Sequence, residues 1–159
     1  METAENLIIK PLGIIITMAL VVLSSMLLYR PKMKTPYVDE KNYPVQASEW
    51  ILNNIDLTTA KLYNEYNYGS YLLFKNIPVF IDSRADLYAP EFNGKNDIFM
   101  DFLAISSLDL SNMQGKLDAY GFTHLIFKRG SKLGIYIKLK PDLYKEIYRD
   151  DYFIIYERI

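Results

Sequence analysis

The chain has 159 residues, half of them hydrophobic and 14% aromatic, with a formal net charge of -1 and no cysteine. That length suits one domain, and the composition is that of a packed core rather than a disordered chain. The lack of cysteine excludes disulfides, thiolate metal sites and a cysteine nucleophile, the near-neutral charge gives no basic field for nucleic acid, and a single histidine, His124, argues against a His-based zinc site or a hydrolase triad.

Residues 1–10 form a short N-terminal flank. Residues 11–29, "PLGIIITMALVVLSSMLLY", are free of charge and have no polar face. As a helix this run is roughly 28 Å long, about the thickness of a bilayer's hydrocarbon core, which predicts one transmembrane helix. A cleaved signal peptide is the alternative, but the run is long and a small-residue cleavage pattern is poor. Lys10 is the only basic residue before the span, whereas Arg30, Lys32 and Lys34 follow it. Taken alone, this asymmetry would put the C-terminal part in the cytoplasm. Residues 30–43 are polar and proline-containing and read as an extended juxtamembrane linker.

Residues 44–159 read as one soluble α/β domain. Pro44 suits the first turn of a helix through "VQASEWILNN", with Val45, Ser48, Ile51 and Leu52 on one face and Asn53 and Asn54 as its stop. "AKLYNEY" (60–66) reads as a strand and "GSYLLFK" (69–75) as a short helix. "IPVFID" (77–82) reads as a strand buried on both faces. "NDIFMDFLAISS" is helical. "SNMQGKLDAYG" opens with a capping-box pattern, Ser111 and Gln114, and closes at Gly121. "FTHLIFK" (122–128) is a strand and "SKLGIYIKLK" a short helix. "LYKEIYR" and "YFIIYER" flank Asp150-Asp151 as a two-residue β-hairpin. This alternation predicts a mostly parallel, Rossmann-like sheet with helices on both faces and a C-terminal antiparallel hairpin.

Two polar clusters end predicted strands. "YNEYNYGSY" (63–71) offers Asn64, Glu65, Tyr66, Gly69 and Tyr71; "VFIDSRADLY" (79–88) offers Asp82, Arg84, Asp86 and Tyr88. Ligands of parallel α/β sheets bind at the carboxyl ends of strands, so the clusters are expected to face one another there. Carboxylates, tyrosine rings and one cation suit a sugar or a phosphate-bearing ligand. Glu65 and Asp82 would be the carboxylates of a glycosidase, if they stand about 5 to 10 Å apart. The other reading is structural. In an alternating register 82, 84 and 86 project to one side, so Arg84 neutralises Asp82, Asp86 or Glu65 and pins the loops. Nucleotide-binding glycine motifs are absent, and Lys128-Arg129 and Lys138 with Lys140 read as solvated basic faces or contacts for anionic lipid headgroups.

The motifs "YPVQASEWI", "LYNEYNYGSYLLF", "PVFIDSRADLY" and "YKEIYRDDYFIIYER" together resemble the C-terminal soluble region of bacterial polytopic membrane proteins. Those proteins are related to GT-C type glycosyltransferases of the lipid-linked-sugar, mannosyltransferase-like kind. The likeness runs over residues 43–158. Asn64, Glu65, Tyr66, Gly69, Tyr71 and Leu72 fill an Asn-Glu-Tyr-x-x-Gly-x-Tyr-Leu segment. Asp82, Arg84, Asp86, Leu87 and Tyr88 fill an Asp-x-Arg-x-Asp-Leu-Tyr segment. Ser70 and Ser83 stand where glycine is usual. The family's many membrane helices and acidic catalytic loop have no counterpart here, so the chain resembles the last helix plus the soluble tail, as a stand-alone protein or a fragment.

The resemblance implies an extracytoplasmic tail, against the local charge count. It implies a non-catalytic accessory or binding domain in cell-envelope glycosylation, with the lipid bilayer, a polytopic glycosyltransferase or a lipid-linked sugar as partners. No cofactor, metal or nucleic acid is expected. The alternatives are a membrane-anchored glycan hydrolase or transferase using Glu65 and Asp82, and an assembly domain without a ligand.

Overall fold

The computed structural model describes residues 4–34, 37–94 and 96–159. Residues 1–3 of the expected flank and 35–36 of the expected linker lie outside the described residues. The chain divides into two compact units, 1–37 and 38–159.

The first unit is one helix, α1 (Ala4–Lys34). Its segment Pro11–Tyr29 has a mean hydropathy of 2.4 and no buried side chain, so by length and composition it can cross a membrane. Two of its hydroxyls bond backward to the helix itself, Thr17 to the Gly13 carbonyl and Ser24 to the Val21 carbonyl, each at 2.9 Å. An apolar medium requires such internal satisfaction. The helix continues past Arg30 to Lys34, so the start of the expected linker is helical. Proline's fixed φ is compatible with a helix, and Pro31 removes one hydrogen bond near the end.

The second unit is α/β. Helix α2 (Val45–Asn54) buries Ala47, Ser48 and Ile51, while Leu52, expected on that face, is exposed. The side-chain amides of Asn53 and Asn54 fold back to donate to the carbonyls of Glu49 and Trp50, one turn earlier, at 2.8 Å each. Strand β1 (Leu62–Tyr63) is short, and α3 (Tyr66–Phe74) starts at the motif's tyrosine. A 3-10 turn (Ala85–Tyr88), α4 (Pro90–Asn93), α5 (Ile98–Ser106) and α6 (Met113–Tyr120) follow. Then come β2 (His124–Lys128), α7 (Lys132–Lys138), β3 (Tyr144–Arg149) and β4 (Phe153–Arg158).

The sheet is mixed, with order β1-β2-β4-β3. Only β1 and β2 run parallel, pairing Leu62 with His124 and Tyr63 with Leu125. β2 pairs antiparallel with β4, placing Ile126 opposite Ile155, and β4 pairs antiparallel with β3. The expected mostly parallel sheet is therefore not what forms, because the hairpin inserts β4 beside β2 as a central strand instead of capping an edge. Helices do cover both faces. Alternate residues of the strands divide between two cores: Tyr63, Leu125, Phe127, Ile154 and Tyr156 pack with α5, α6 and α7. Leu62, Ile126, Phe153 and Ile155 pack with α2 and α3.

Three local expectations are corrected. Residues 77–82 form no strand; the segment passes beside β1 with Ile77 in one core and Ile81 in the other. Pro78 has no N–H for a ladder, and Asn64 supplies the bonds described below. The Ser111/Gln114 capping box does not form either. Ser111 bonds Asp109 and Gln114 bonds Asp118, while Asn112 precedes the helix without a side-chain cap. The hairpin loop has three residues, Asp150 to Tyr152, and the Asp150 carboxylate accepts the amides of Tyr152 and Phe153 at 2.7 Å each. Gly121 does end α6, in the left-handed conformation (φ 61°).

Candidate functional site

The two motifs meet, as expected, but backbone rather than ligand binds them together. Asn64 is fully buried at the end of β1. Its Oδ1 accepts the Phe80 amide at 2.8 Å and its Nδ2 donates to the Ile81 carbonyl at 2.7 Å. One side-chain amide thus does for residues 80–81 what a neighbouring strand would do.

Gly69 lets this segment approach α3. A Cβ at Gly69 would stand 2.0 Å from the Ile81 carbonyl oxygen and 2.9 Å from Asp82 Cα. The next residues continue the seam. The Tyr66 hydroxyl donates to the Ser83 carbonyl at 2.9 Å, and the Ser70 and Ser83 hydroxyls share a hydrogen bond at 2.7 Å. The two positions that depart from the glycine pattern of the resembled family are therefore in contact, and each serine gives the other a partner. Helix α3 ends where Asn76 takes a left-handed φ of 61° and Ile77 donates to the Leu72 carbonyl, which turns the chain into residues 77–82.

Asp82 is fully buried, and Arg84 closes over it. Arg84 Nε lies 3.0 and 3.1 Å from the two carboxylate oxygens, one Nη lies 2.5 Å from Oδ2, and the Arg84 amide donates to Oδ1 at 2.9 Å. Hydrogen bonds from Arg84 hold the Asp82 carboxyl below its usual range, against the effect of burial, and Tyr88 adds a weaker pull. Burial raises the half-buried Tyr88 phenol, and the Asp82 charge adds to the effect. Asp86 does not join this group. It is exposed in the 3-10 turn, and among the described residues the carboxylate paired with Arg84 is Asp82. The expected alternation of 82, 84 and 86 requires extended chain, and the chain curls at Ala85 instead. Arg84 keeps 56% of its side chain exposed.

Glu65 stands apart from that clamp. It precedes α3 and borders a recess of 320 Å³ lined with Asn42, Tyr43, Asn67, Tyr68 and Lys128. The recess lies where the parallel strands β1 and β2 end, the position at which such sheets present ligands. Burial pushes the Glu65 carboxyl up, while the Lys128 amide, the Tyr68 hydroxyl, the Lys128 charge and Ser131 pull it back. Lys128 Nζ donates to Asn42 Oδ1 at 2.9 Å across the recess. Asp82 is not among the lining residues, so the expected Glu65/Asp82 carboxylate pair does not share this space. Tyr71 stacks, tilted, on Tyr43 at 5.6 Å and has Lys75 over its ring. Among the described residues no His, Asp or Glu group converges as a metal site.

Sequence reasoning missed Lys128, Asn42, Tyr43 and Tyr68 as the walls around Glu65. Lys128 carried a signal: it terminates a buried apolar strand that runs parallel to β1, and so arrives beside the residues after Tyr63.

Fold and site thus define an α/β unit with a mixed four-stranded sheet, a motif seam held by Asn64, Gly69 and the Tyr66–Ser83 and Ser70–Ser83 bonds, an Asp82–Arg84 pair within the second motif, and a polar recess at the parallel strand ends, in a chain that also carries one long apolar helix. No protein-family model, curated protein or solved structure matches this chain.

Proposed function

We propose that this chain is a single-pass membrane protein whose α/β unit is a non-catalytic, extracytoplasmic accessory or binding domain. It acts in cell-envelope glycosylation beside a polytopic glycosyltransferase or a lipid-linked sugar. The observation that carries the reading is the seam. The residues that resemble the soluble tail of GT-C type proteins are occupied in holding two backbone segments together, and the Asp82 carboxylate is fully engaged by Arg84. A carboxylate held ionised and closed in this way is a poor nucleophile or proton donor. The recess beside Glu65, with tyrosines and amides around it, supplies the binding surface.

The Glu65 carboxyl, raised by burial, favours one second reading, a proton donor in a membrane-anchored glycan hydrolase or transferase. Glu65→Gln and Asp82→Asn separate the two. In a deletion strain with a measured envelope-glycan profile, Glu65→Gln in an accessory domain lowers the glycan only in part, because the recess keeps its tyrosines and amides and no reacting group is lost. Loss of the glycan with a folded variant protein assigns Glu65 to catalysis.

Membrane anchorage and topology have their own test, which the absence of native cysteine makes clean. The full-length chain stays with carbonate-washed membranes, and deletion of residues 11–29 releases it. A Lys145→Cys chain reacts with a membrane-impermeant maleimide in intact, outer-membrane-permeabilised cells. Labelling only after lysis places the α/β unit in the cytoplasm and overturns that part of the proposal.

A further inference from the structure

A second recess, of 430 Å³, lies between the end of β2, helix α7 and the β3–β4 hairpin. Three cations, Arg129, Lys138 and Arg149, line it, with Asp151 the one carboxylate among its lining residues; Lys128 also borders it, but its ammonium lies on the other face of the sheet, on Asn42. The chain from Arg30 onward has no net charge, so this concentration of cations is local. The three come from separate parts of the fold: the loop after β2, the last residue of α7 and the last residue of β3.

Two of these charges are held, one of them by neutral oxygens. Arg129 donates from one Nη to the carbonyls of Asp150 and Asp151, 3.0 Å each. Neutral acceptors orient a cation without cancelling it, which is what preorganised anion binding needs. Arg149 is forked onto Glu146, at 2.7 and 2.5 Å. Hydrogen bonds from Arg149 hold the Glu146 carboxyl low, and Lys138 and Arg129 add to the effect, so a resident anion already registers the field of this cluster. Lys138 is exposed.

We propose that this recess binds a phosphate or diphosphate group. Guanidinium forks and an ammonium suit tetrahedral oxyanions, and the volume leaves room for the group that carries the phosphate. The proposal is independent of the accessory role, because it rests on the charges of the α/β unit alone. The phosphate arrives either in solution or on a lipid headgroup.

The test uses the full-length chain in nanodiscs of zwitterionic phosphatidylcholine. Inorganic pyrophosphate is titrated by calorimetry at low salt, and hydrogen exchange is followed over residues 128–138. Saturable binding that Lys138→Gln weakens about tenfold, and that Lys145→Gln on the same hairpin leaves unchanged, supports a site for soluble phosphate. Absence of pyrophosphate binding, with protection of 128–138 only in nanodiscs containing phosphatidylglycerol and lost in Lys138→Gln, supports the same site with lipid as the source. Neither response, or equal weakening by Lys138→Gln and Lys145→Gln, overturns the proposal.

Discussion

Gly69 and Ile81 are in backbone contact, with an added Cβ at 69 placed 2.0 Å from the Ile81 carbonyl oxygen. Two effects oppose each other in Gly69→Ala. Inside a helix alanine is favoured over glycine by about 1 kcal/mol. The clash is with backbone, which cannot swing aside, and overpacking of this kind costs about 3 kcal/mol or more. The clash wins, so Gly69→Ala lowers the urea midpoint of the α/β unit. A midpoint equal to or above that of the parent chain would show that residues 81–82 do not press on α3.

Asn64 is the second fastener of the same seam. Asn64→Leu preserves approximate volume and strands the Phe80 amide and the Ile81 carbonyl, each worth about 1–3 kcal/mol when buried and unmet. The expected loss is about 2–4 kcal/mol in urea unfolding. Asn64→Asp is a sharper probe. The carboxylate can still accept from Phe80 but faces the Ile81 carbonyl oxygen, so at neutral pH it does not rescue. A neutral-pH Asn64→Asp chain as stable as the parent would remove Asn64 from this role.

These two residues show where the sequence was legible and where it was not. Helices α2, α5 and α7, strand β2 and the hairpin strands all follow from apolar period, glycine or the hairpin signal, because those signals are local. That 64–71 and 79–88 meet was legible too, from their places at the ends of apolar runs. What they do on meeting was not. The role of Asn64 depends on two backbone groups 16 and 17 positions away, and an asparagine beside a glutamate and tyrosines reads equally well as a pocket residue. The run "IPVFID" has strand composition, yet a strand is defined by its partner, and here the partner is one side chain. Likewise nothing in "YFIIYER" states that it enters the sheet's centre. Asp86 was misplaced because a period of two holds only while the chain stays extended, and Ala85–Tyr88 does not.

Asp82 gives the pH prediction. Its folded-state carboxyl is held low by Arg84, and the unfolded-state value is near 3.9. The unfolded chain therefore binds the proton more readily, and the contribution of Asp82 is fully present above about pH 4 and lost as pH falls through the folded-state value. Asp82→Asn lowers the urea midpoint at pH 7, and the gap to the parent chain narrows toward pH 3. Because most of the Arg84 side chain is in solvent, 1 M salt also narrows the gap. A gap independent of pH would mean that packing, not the ion pair, accounts for the role of Asp82.

Glu65 carries the opposite sign. Burial raises its carboxyl, so the folded state binds the proton more readily than the unfolded one, and the charged form lowers stability as pH rises through that raised value. Glu65→Gln removes this cost and raises the Tm at pH 7, with a smaller gain at pH 4, where the parent is already protonated. A loss of stability at pH 7 would show instead that Lys128 and Tyr68 need the carboxylate.

Tyr63 and Tyr68 make the final contrast, two buried phenols on opposite faces of the sheet. The Tyr68 hydroxyl donates to the Ile126 carbonyl at 2.7 Å. The Tyr63 hydroxyl is buried with no hydrogen-bond partner among the described residues, and its ring lies among Phe80, Phe122 and Phe127, with centroids 5.7, 5.4 and 5.6 Å away. Burial accordingly pushes this phenol far above its usual range. Removing an unmet hydroxyl recovers its desolvation penalty, about 1 kcal/mol net of the small void it leaves. Removing a paired one loses about 1 kcal/mol and orphans the Ile126 carbonyl. Tyr63→Phe therefore raises the Tm by about 3 °C, and Tyr68→Phe lowers it by a similar amount. Equal losses in both variants would place a bound water on the Tyr63 hydroxyl, inside the core that α5, α6 and α7 share.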